Sequence, residues 1–295
     1  MQWWNSTSDS TSGRSGTNWR SGARYLSPAR RTSSSTSSTV RRMSLLHAIL
    51  LGIVEGITEF LPVSSTAHLI LASKLLALDS EFVKSFEIII QFGAILSVVV
   101  LYWNRFWNWD VLKKLVVAVI PTGVIGLTVY KAVKSYLLGN VTVVLLALLI
   151  GGIALILFER FRTSVDTEVD FTEITYRRAF LIGLFQAIAV IPGVSRSAAT
   201  IVGGSLIGVS KRTIVEFTFM LAVPTMLAAT GLELVKSREA LAGNYGILAV
   251  GFVVSFITAI VAIKSFLGYI KKRSFAAFGW YRIALAVAYY LVIGR

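Results

Sequence analysis

From Ser44 onward, long apolar runs alternate with short polar loops. A run of about 20 apolar residues is long enough to cross the hydrocarbon core of a bilayer as a helix. The candidate spans are 85–103, 111–130, 139–158, 213–232, 246–267 and 278–294. This pattern predicts an all-α polytopic membrane protein.

Shorter apolar pieces occur in two pairs, 45–61 with 65–78 and 179–191 with 196–209. Each pair is interrupted by a turn that contains Pro and Ser, "LPVSST" in the first and "IPGVSRS" in the second. Two half-length helices joined by a break are typical of a re-entrant hairpin, whose irregular backbone must be covered by protein or line a water-filled cavity. We therefore predict two re-entrant helical hairpins.

The two hairpins belong to an internal repeat with an offset of 131 residues. The offset aligns Gly52 with Gly183, Glu55 with Gln186, Val63 with Val194, Ser64 with Ser195, Thr66 with Ser197 and Ala67 with Ala198. Each half, about 44–158 and 175–295, then contains one hairpin and three spans. Three spans end on the side opposite to their start, so the second half is predicted to be inverted, with both hairpin tips meeting near the midplane.

Residues 1–42 differ from the rest because they are rich in Ser, Thr and Arg and have no apolar periodicity. Such a segment cannot bury a core, so it is predicted to be a disordered extension. A start codon assigned too far upstream of Met43 explains it equally well, and its composition also fits an organelle transit peptide. Residues 43–295 are predicted to form a single membrane domain.

The composition supports a membrane protein and narrows its chemistry. The 295 residues are 55% hydrophobic and 15% charged, against about 45–50% and 25% in soluble domains. With no cysteine, disulfides and cysteine nucleophiles are excluded. The net charge of +14 is explained better by loop Lys and Arg near anionic lipid than by nucleic-acid binding.

The loop charges also predict an orientation in the membrane. The loops on one side are the more basic; they contain Arg105, Lys113, Lys114, Arg160, Arg162, Arg177, Arg178, Lys211, Arg212 and residues 271–273. By the positive-inside rule this side is cytoplasmic and both termini lie outside.

The first hairpin carries Glu55, Glu59 and His68 within the apolar run "GIVEGITEFLPVSSTAHLILA". A carboxylate at the bilayer centre costs roughly 2.5–3.5 kcal/mol on insertion scales, so these groups are expected to face a cavity. The two glutamates lie four residues apart and share one helix face. Such a pair would hold a divalent cation, Mg²⁺ or Ca²⁺, or act directly as acid–base groups; a solvated helix face is the structural alternative.

The segment "SSTAH" places hydroxyl groups close in sequence to an imidazole. A hydroxyl near an imidazole is the minimum for an activated nucleophile or an acid–base pair. Helix capping by Ser64 or Ser65 accounts for one hydroxyl but not for His68. Ser65 and His68 are therefore candidate catalytic residues.

The second hairpin has the features of an anion site. Gly193 permits an unusual turn, and Ser195, Arg196 and Ser197 begin a helix whose N-terminal N–H groups favour phosphate. The Arg196 guanidinium adds a planar fork that matches phosphate oxygens. Its structural alternative is an ion pair with a glutamate of the first hairpin, and both uses are compatible. We predict a lipid phosphate bound beside the carboxylates.

"EGITEFLPVSSTAHL" and "PGVSRSAAT" resemble the paired motifs of the undecaprenyl-diphosphate phosphatase family, integral membrane phosphatases of the bacitracin-resistance type. The resemblance extends from about Met43 to Arg295. It implies removal of one phosphate from undecaprenyl diphosphate, which regenerates the carrier for cell-wall synthesis. It also implies a polyprenyl diphosphate lipid substrate, the inner membrane of a bacterium, a site reached from the periplasmic side and no organic cofactor, with a homodimer as one option for the assembly.

The resemblance also implies which residues act. The residues that match the family motifs are Glu55, Glu59, Ser65, His68, the segment 192–197, Thr200 and Arg282. In one version Ser65 attacks the terminal phosphorus with His68 as proton acceptor, and in another His68 activates water. In both versions Arg196 and the adjacent helix N-terminus stabilise the phosphoryl oxygens, with Thr200 and Arg282 in the phosphate-binding set.

Two other classes of membrane protein act on similar lipid phosphates. Inverted repeats with broken helices are also a transporter architecture, so a polyprenyl-phosphate flippase that uses the same headgroup site is the alternative. Ser65 and His68 favour the phosphatase, because transport needs no nucleophile. The type-2 phosphatidic-acid phosphatases are excluded, since the sequence contains neither Arg-Pro nor their PSGH element.

Overall fold

The computed structural model describes residues 43–137, 140–161, 170–236 and 244–293. The predicted extension, 1–42, lies outside the described residues. The described helices are α1 (Leu45–Thr58), α2 (Ser65–Leu75), α3 (Glu81–Leu101), α4 (Trp103–Phe106), α5 (Trp109–Ala132), α6 (Val141–Phe161), α7 (Tyr176–Ala187), α8 (Arg196–Leu206), α9 (Lys211–Lys236), α10 (Tyr245–Ile270) and α11 (Ala276–Ile293). A π-helical turn at Val133–Leu137 extends α5, and 3-10 turns at Phe171–Glu173 and Ile188–Val190 flank α7.

The long helices coincide with the predicted spans. Within the described part of the chain, α3, α5, α6 and α10 are long and apolar enough to cross a membrane. The remaining two predicted spans correspond to α9 and α11, which have 26 and 18 residues. The prediction of an all-α polytopic membrane protein is confirmed.

The two interrupted segments form helical hairpins, α1 with α2 and α7 with α8. Their helices contain 14, 11, 12 and 11 residues. At 1.5 Å per residue each is at most about 21 Å long, too short to cross a bilayer of about 30 Å. Ser64 (φ 72°) and Ser195 (φ 77°) end the two breaks in the left-handed region, and each caps the next helix by accepting an N–H, from Ala67 and Ala198 respectively.

Helix positions and packing follow the internal repeat. Shifting α2 by 131 residues gives the bounds of α8 at both ends, and shifting α1 gives α7 to within two residues. The packing follows the same pattern, since α1 packs along α10, α7 packs along α5, and α6 packs against α11. The inversion of the second half across the membrane and the loop-based orientation stay predictions.

Glycine allows α1 to approach α10 closely. A Cβ atom at Gly56 would overlap the Thr258 hydroxyl and would lie 2.6 Å from the Ser255 carbonyl oxygen. Small residues at such contacts let two helix backbones pack tightly within a membrane. This contact fixes the helix that carries Glu55 and Glu59.

We expect Gly56→Ala to lower the thermal stability of the protein, because overpacking of a filled contact costs typically about 1–3 kcal/mol. Gly123→Ala is the matched control, since a Cβ there meets nothing within 4 Å. Thermal unfolding of the detergent-solubilised variants measures the difference. Equal melting temperatures for the two variants would contradict the close packing of α1 on α10.

Candidate active site

The turns of the two hairpins lie in contact inside the protein. The Ser197 hydroxyl donates to the carbonyl oxygen of Leu61 at 2.7 Å, which joins the second turn to the first. Beside this contact the Phe60 ring packs edge-on against the Phe219 ring of α9, with centroids 5.4 Å apart. The polar residues of both hairpins are thus brought to one place.

Arg282, on α11, holds both turns. Its side chain is fully buried, and its N–H groups donate to the carbonyl oxygens of Pro62, Ala147, Leu148, Gly193 and Val194 at 2.9–3.4 Å. A guanidinium has five N–H donors, so every one is used. Arg282 therefore fastens the two turns to α6. The family resemblance places Arg282 in the phosphate-binding set. In the structure all five of its N–H groups donate to backbone carbonyl oxygens, so none is available to a phosphate.

Glu59 joins the first hairpin to the second. Its Oε2 accepts the Ser65 hydroxyl at 2.5 Å, and its Oε1 lies 3.0 Å from Arg196 Nη2. Arg196 Nη1 donates in turn to the carbonyl oxygen of Thr218 on α9 at 3.0 Å. The ion pair is nearly dry, with exposed side-chain fractions of 5% for Glu59 and 13% for Arg196. One carboxylate thus connects the candidate nucleophile with the candidate phosphate-binding arginine. This is the ion pair that the sequence analysis gave as the structural alternative for Arg196.

Glu55 lies one helical turn before Glu59 and is fully buried. Among the described residues, neither of its carboxylate oxygens has a hydrogen-bond partner, and the Nε of Arg196 also lacks one. A buried polar atom without a partner costs about 1–3 kcal/mol, and more when it is charged. Two carboxylate oxygens and a guanidinium N–H without partners among the described residues are the features expected where a polar ligand binds.

The carboxylates of Glu55 and Glu59 suit a bound cation only if a ligand, such as a phosphate, supplies further oxygen atoms. In the described ranges no group of three or more His, Asp or Glu side chains could hold a metal ion. Mg²⁺, however, is commonly bound by one or two carboxylates together with substrate phosphates. Glu55, with its two unpartnered oxygens, suits that role better than Glu59, whose oxygens are engaged by Ser65 and Arg196.

His68 does not pair with Ser65. Its Nδ1 lies 2.8 Å from the Ser64 carbonyl oxygen, and its Nε2 lies 2.8 Å from the Tyr281 hydroxyl. The Tyr281 ring is stacked on the imidazole, with ring centroids 5.6 Å apart. The Ser65 hydroxyl points instead to Glu59. The expected hydroxyl–imidazole pair is therefore replaced by a hydroxyl–carboxylate pair, because both ring nitrogens have other partners.

Of the hydroxyls in the predicted phosphate-binding set, those of Ser195 and Thr200 bond within the second hairpin, whereas that of Ser197 reaches Leu61 of the first. Ser195 Oγ accepts the Ala198 N–H and lies 3.1 Å from the Ser197 hydroxyl. Thr200 donates to the carbonyl oxygen of Arg196 at 2.9 Å. Gly193 has a φ of +97°, a backbone conformation that residues with a side chain rarely adopt. Within this set Arg196, with its unpartnered Nε, is the residue best able to bind an anion.

The fold and site define a multi-pass membrane protein whose polar cluster is buried between two helical hairpins. The family model described as "Bacitracin resistance protein BacA" matches residues 48–288. The protein named "Undecaprenyl-diphosphatase" from Aquifex aeolicus (strain VF5) is 49% identical over 250 residues, which cover 84% of this chain and 98% of that protein. Proteins of the same name from Bdellovibrio bacteriovorus and Campylobacter jejuni are 49% and 44% identical, and the matches cover 97% and 94% of those proteins and 85% and 84% of this chain. The chain belongs to the BacA family, which confirms the family indicated by its motifs.

We expect Arg282→Lys to lower thermal stability even though it keeps the positive charge. An ammonium has three N–H donors, so at least two of the five carbonyl oxygens would lose their partner, at about 1–3 kcal/mol each. Arg212→Lys is the control, since Arg212 is partly exposed and makes a side-chain ion pair with Glu216. A melting temperature for Arg282→Lys equal to that of the control would show that Arg282 does not stabilise the two turns.

Proposed function

We propose that this protein hydrolyses undecaprenyl diphosphate to undecaprenyl phosphate and phosphate, which recycles the lipid carrier for cell-wall synthesis and gives resistance to bacitracin. The observation that carries the proposal is the contact of Ser65 and Arg196 with the same Glu59 carboxylate. It combines a nucleophile, a base and a phosphate-binding cation within one buried cluster. The name of the relatives, undecaprenyl-diphosphatase, supports the same substrate.

In the proposed reaction the Ser65 oxygen attacks the terminal phosphorus and gives its proton to Glu59. The bond from this phosphorus to the bridging oxygen breaks, and the proton leaves with undecaprenyl phosphate. Water then attacks the phosphoserine, and Glu59 takes the proton of this water. Glu59 returns that proton to Ser65 as phosphate departs. A direct attack by water that His68 activates is the second version, and it requires Tyr281 to release His68 Nε2.

Arg196 stabilises the charge that develops on the phosphoryl oxygens. Phosphoryl transfer depends mainly on positioning and on electrostatic stabilisation of these oxygens. The Glu59 carboxylate and the Thr218 carbonyl hold the guanidinium in place before the substrate binds. Such preorganised donors cost no rearrangement during the reaction. The unpartnered Nε is the donor available to the substrate.

A divalent cation, Mg²⁺ or Ca²⁺, is part of the proposal. Glu55, assisted by Glu59, would hold it, and the bound ion would neutralise phosphoryl oxygens. The two unpartnered oxygens of Glu55 support this assignment. No organic cofactor enters the reaction.

We further place the protein in the inner membrane of a bacterium, with the site open to the periplasmic side. The bacterial relatives and the more basic loops on one side of the predicted topology support this placement. A homodimer stays an option for the assembly. Transport of the same lipid is the weaker function, because a flippase has no use for a serine hydrogen-bonded to a carboxylate.

We expect Ser65→Ala to reduce phosphate release from undecaprenyl diphosphate by several orders of magnitude, since it removes the nucleophile. The control is Ser85→Ala, because Ser85 is equally buried but donates to the Glu81 carbonyl of its own helix. Rates of phosphate release by purified protein in detergent provide the test. A fully active Ser65→Ala variant would exclude the phosphoserine and leave the version with water.

We expect a chelator to abolish phosphate release by the unmodified protein, and added Mg²⁺ or Ca²⁺ to restore it. Glu55→Gln would lower the rate and make it insensitive to both treatments, because an amide is a weaker ligand for hard cations. The measurement is the rate over a titration of free metal ion. An unchanged rate in excess chelator would assign Glu55 and Glu59 to direct acid–base work.

A further inference from the structure

Tyr281 is a neighbour of His68 that neither sequence motif includes. We propose that Tyr281 is a positioning residue whose hydroxyl holds His68 and whose ring forms a wall of the cavity for the prenyl chain of the substrate. The inference rests on the proposed function, and it adds a link between the cavity for the prenyl chain and the His68 imidazole.

The hydrogen bonds of His68 define its tautomer. A carbonyl oxygen can only accept, so Nδ1, which lies 2.8 Å from the Ser64 carbonyl, carries a proton. In the neutral ring Nε2 then accepts the Tyr281 hydroxyl at 2.8 Å. The ring planes are within 4° of parallel, so the Tyr281 side chain constrains the orientation of the imidazole, while the Ser64 carbonyl sets its tautomer.

Tyr281 also faces an apolar cavity of about 750 Å³ between α1, α10 and α11. The wall is formed mainly by hydrocarbon and aromatic side chains, among them Ile57, Val261, Phe266 and Phe278. Thr58 and Leu61 of the same wall flank the segment that carries Glu59. The cavity therefore borders the turn that carries the polar cluster, and its lining suits the prenyl chain of a lipid diphosphate whose headgroup would lie at Arg196.

The two parts of Tyr281 are expected to act on different kinetic constants. Loss of the hydroxyl leaves the cavity wall in place but releases His68, whose Nδ1–H holds the Ser64 carbonyl next to Ser65. In the phosphoserine version Tyr281→Phe should therefore lower kcat by about 10- to 100-fold and leave KM unchanged. Loss of the ring should in addition raise KM for undecaprenyl diphosphate in Tyr281→Ala. Tyr176→Phe is the control, because the Tyr176 hydroxyl donates to Asp110 and its ring does not line this cavity.

The chain offers a spectroscopic readout that does not depend on activity, since it contains two histidines. His47 Nδ1 accepts the Ser44 N–H, so the proton of neutral His47 lies on Nε2, the opposite tautomer to His68. Nitrogen NMR of protein labelled with ¹⁵N-histidine, at a pH where both rings are neutral, distinguishes the two tautomers. His47→Ala assigns the signals.

The expected result has three parts. Unmodified protein shows His68 protonated on Nδ1, Tyr281→Phe perturbs the His68 signals and leaves those of His47 unchanged, and the same variant loses kcat at constant KM. An Nε2–H tautomer for His68, unchanged His68 signals in Tyr281→Phe, or a kcat equal to that of Tyr176→Phe would each overturn the proposal. If the unmodified protein releases no phosphate, the proposed function fails, whereas the NMR arm still tests the contact between Tyr281 and His68.

Discussion

The site depends on one buried guanidinium. The turns of the two helical hairpins carry carbonyl groups that no helical N–H reaches, and a hydrocarbon environment offers no substitute donor. Arg282 supplies five donors at the point where both turns meet α6. Burying the charge is expensive, and the hydrogen bonds offset that cost. Gly151 makes room, since a Cβ there would overlap the guanidinium. With the turns fixed, Glu59 can reach both Ser65 and Arg196.

The two halves of the repeat share a scaffold and divide the chemistry. Ser65 and Arg196 each occupy the first position of a helix that follows a serine with positive φ, so the same local structure presents a hydroxyl in one half and a guanidinium in the other. Val190 and Ala199 stand in the second half at the positions of Glu59 and His68. The repeat therefore produces one asymmetric site.

Gln186 occupies the position of Glu55 in the second half. Its amide nitrogen donates to the hydroxyls of Thr122 and Thr225 at 2.8 and 3.2 Å, whereas its Oε1, like both carboxylate oxygens of Glu55, has no partner among the described residues. The fold therefore buries a polar side chain at this position in both halves, a carboxylate in the first and an amide in the second.

Local patterns in the sequence predicted the helices and the two hairpins, because apolar periodicity, turn residues and an internal repeat are all visible in one dimension. An ion pair of Arg196 with Glu55 or Glu59 was one alternative that the sequence left open. The tasks of Arg282 and Tyr281 could not be predicted in this way. Arg282 bonds to residues about 90 to 220 positions earlier in the chain, and Tyr281 contacts His68 across a separation of 213. The replacement of His68 by Glu59 as partner of Ser65 has the same origin, since tertiary contacts decide where each imidazole nitrogen points.

The central claim is that Glu59 and Arg196 act as one unit across the two hairpins. A double-mutant cycle tests it most directly, with the rate of phosphate release from undecaprenyl diphosphate measured for the unmodified protein, Glu59→Gln, Arg196→Gln and the double variant. The account predicts that each single change causes a large loss and that the double variant loses no more than the worse single variant. Losses that multiply, or full activity in either single variant, would contradict it.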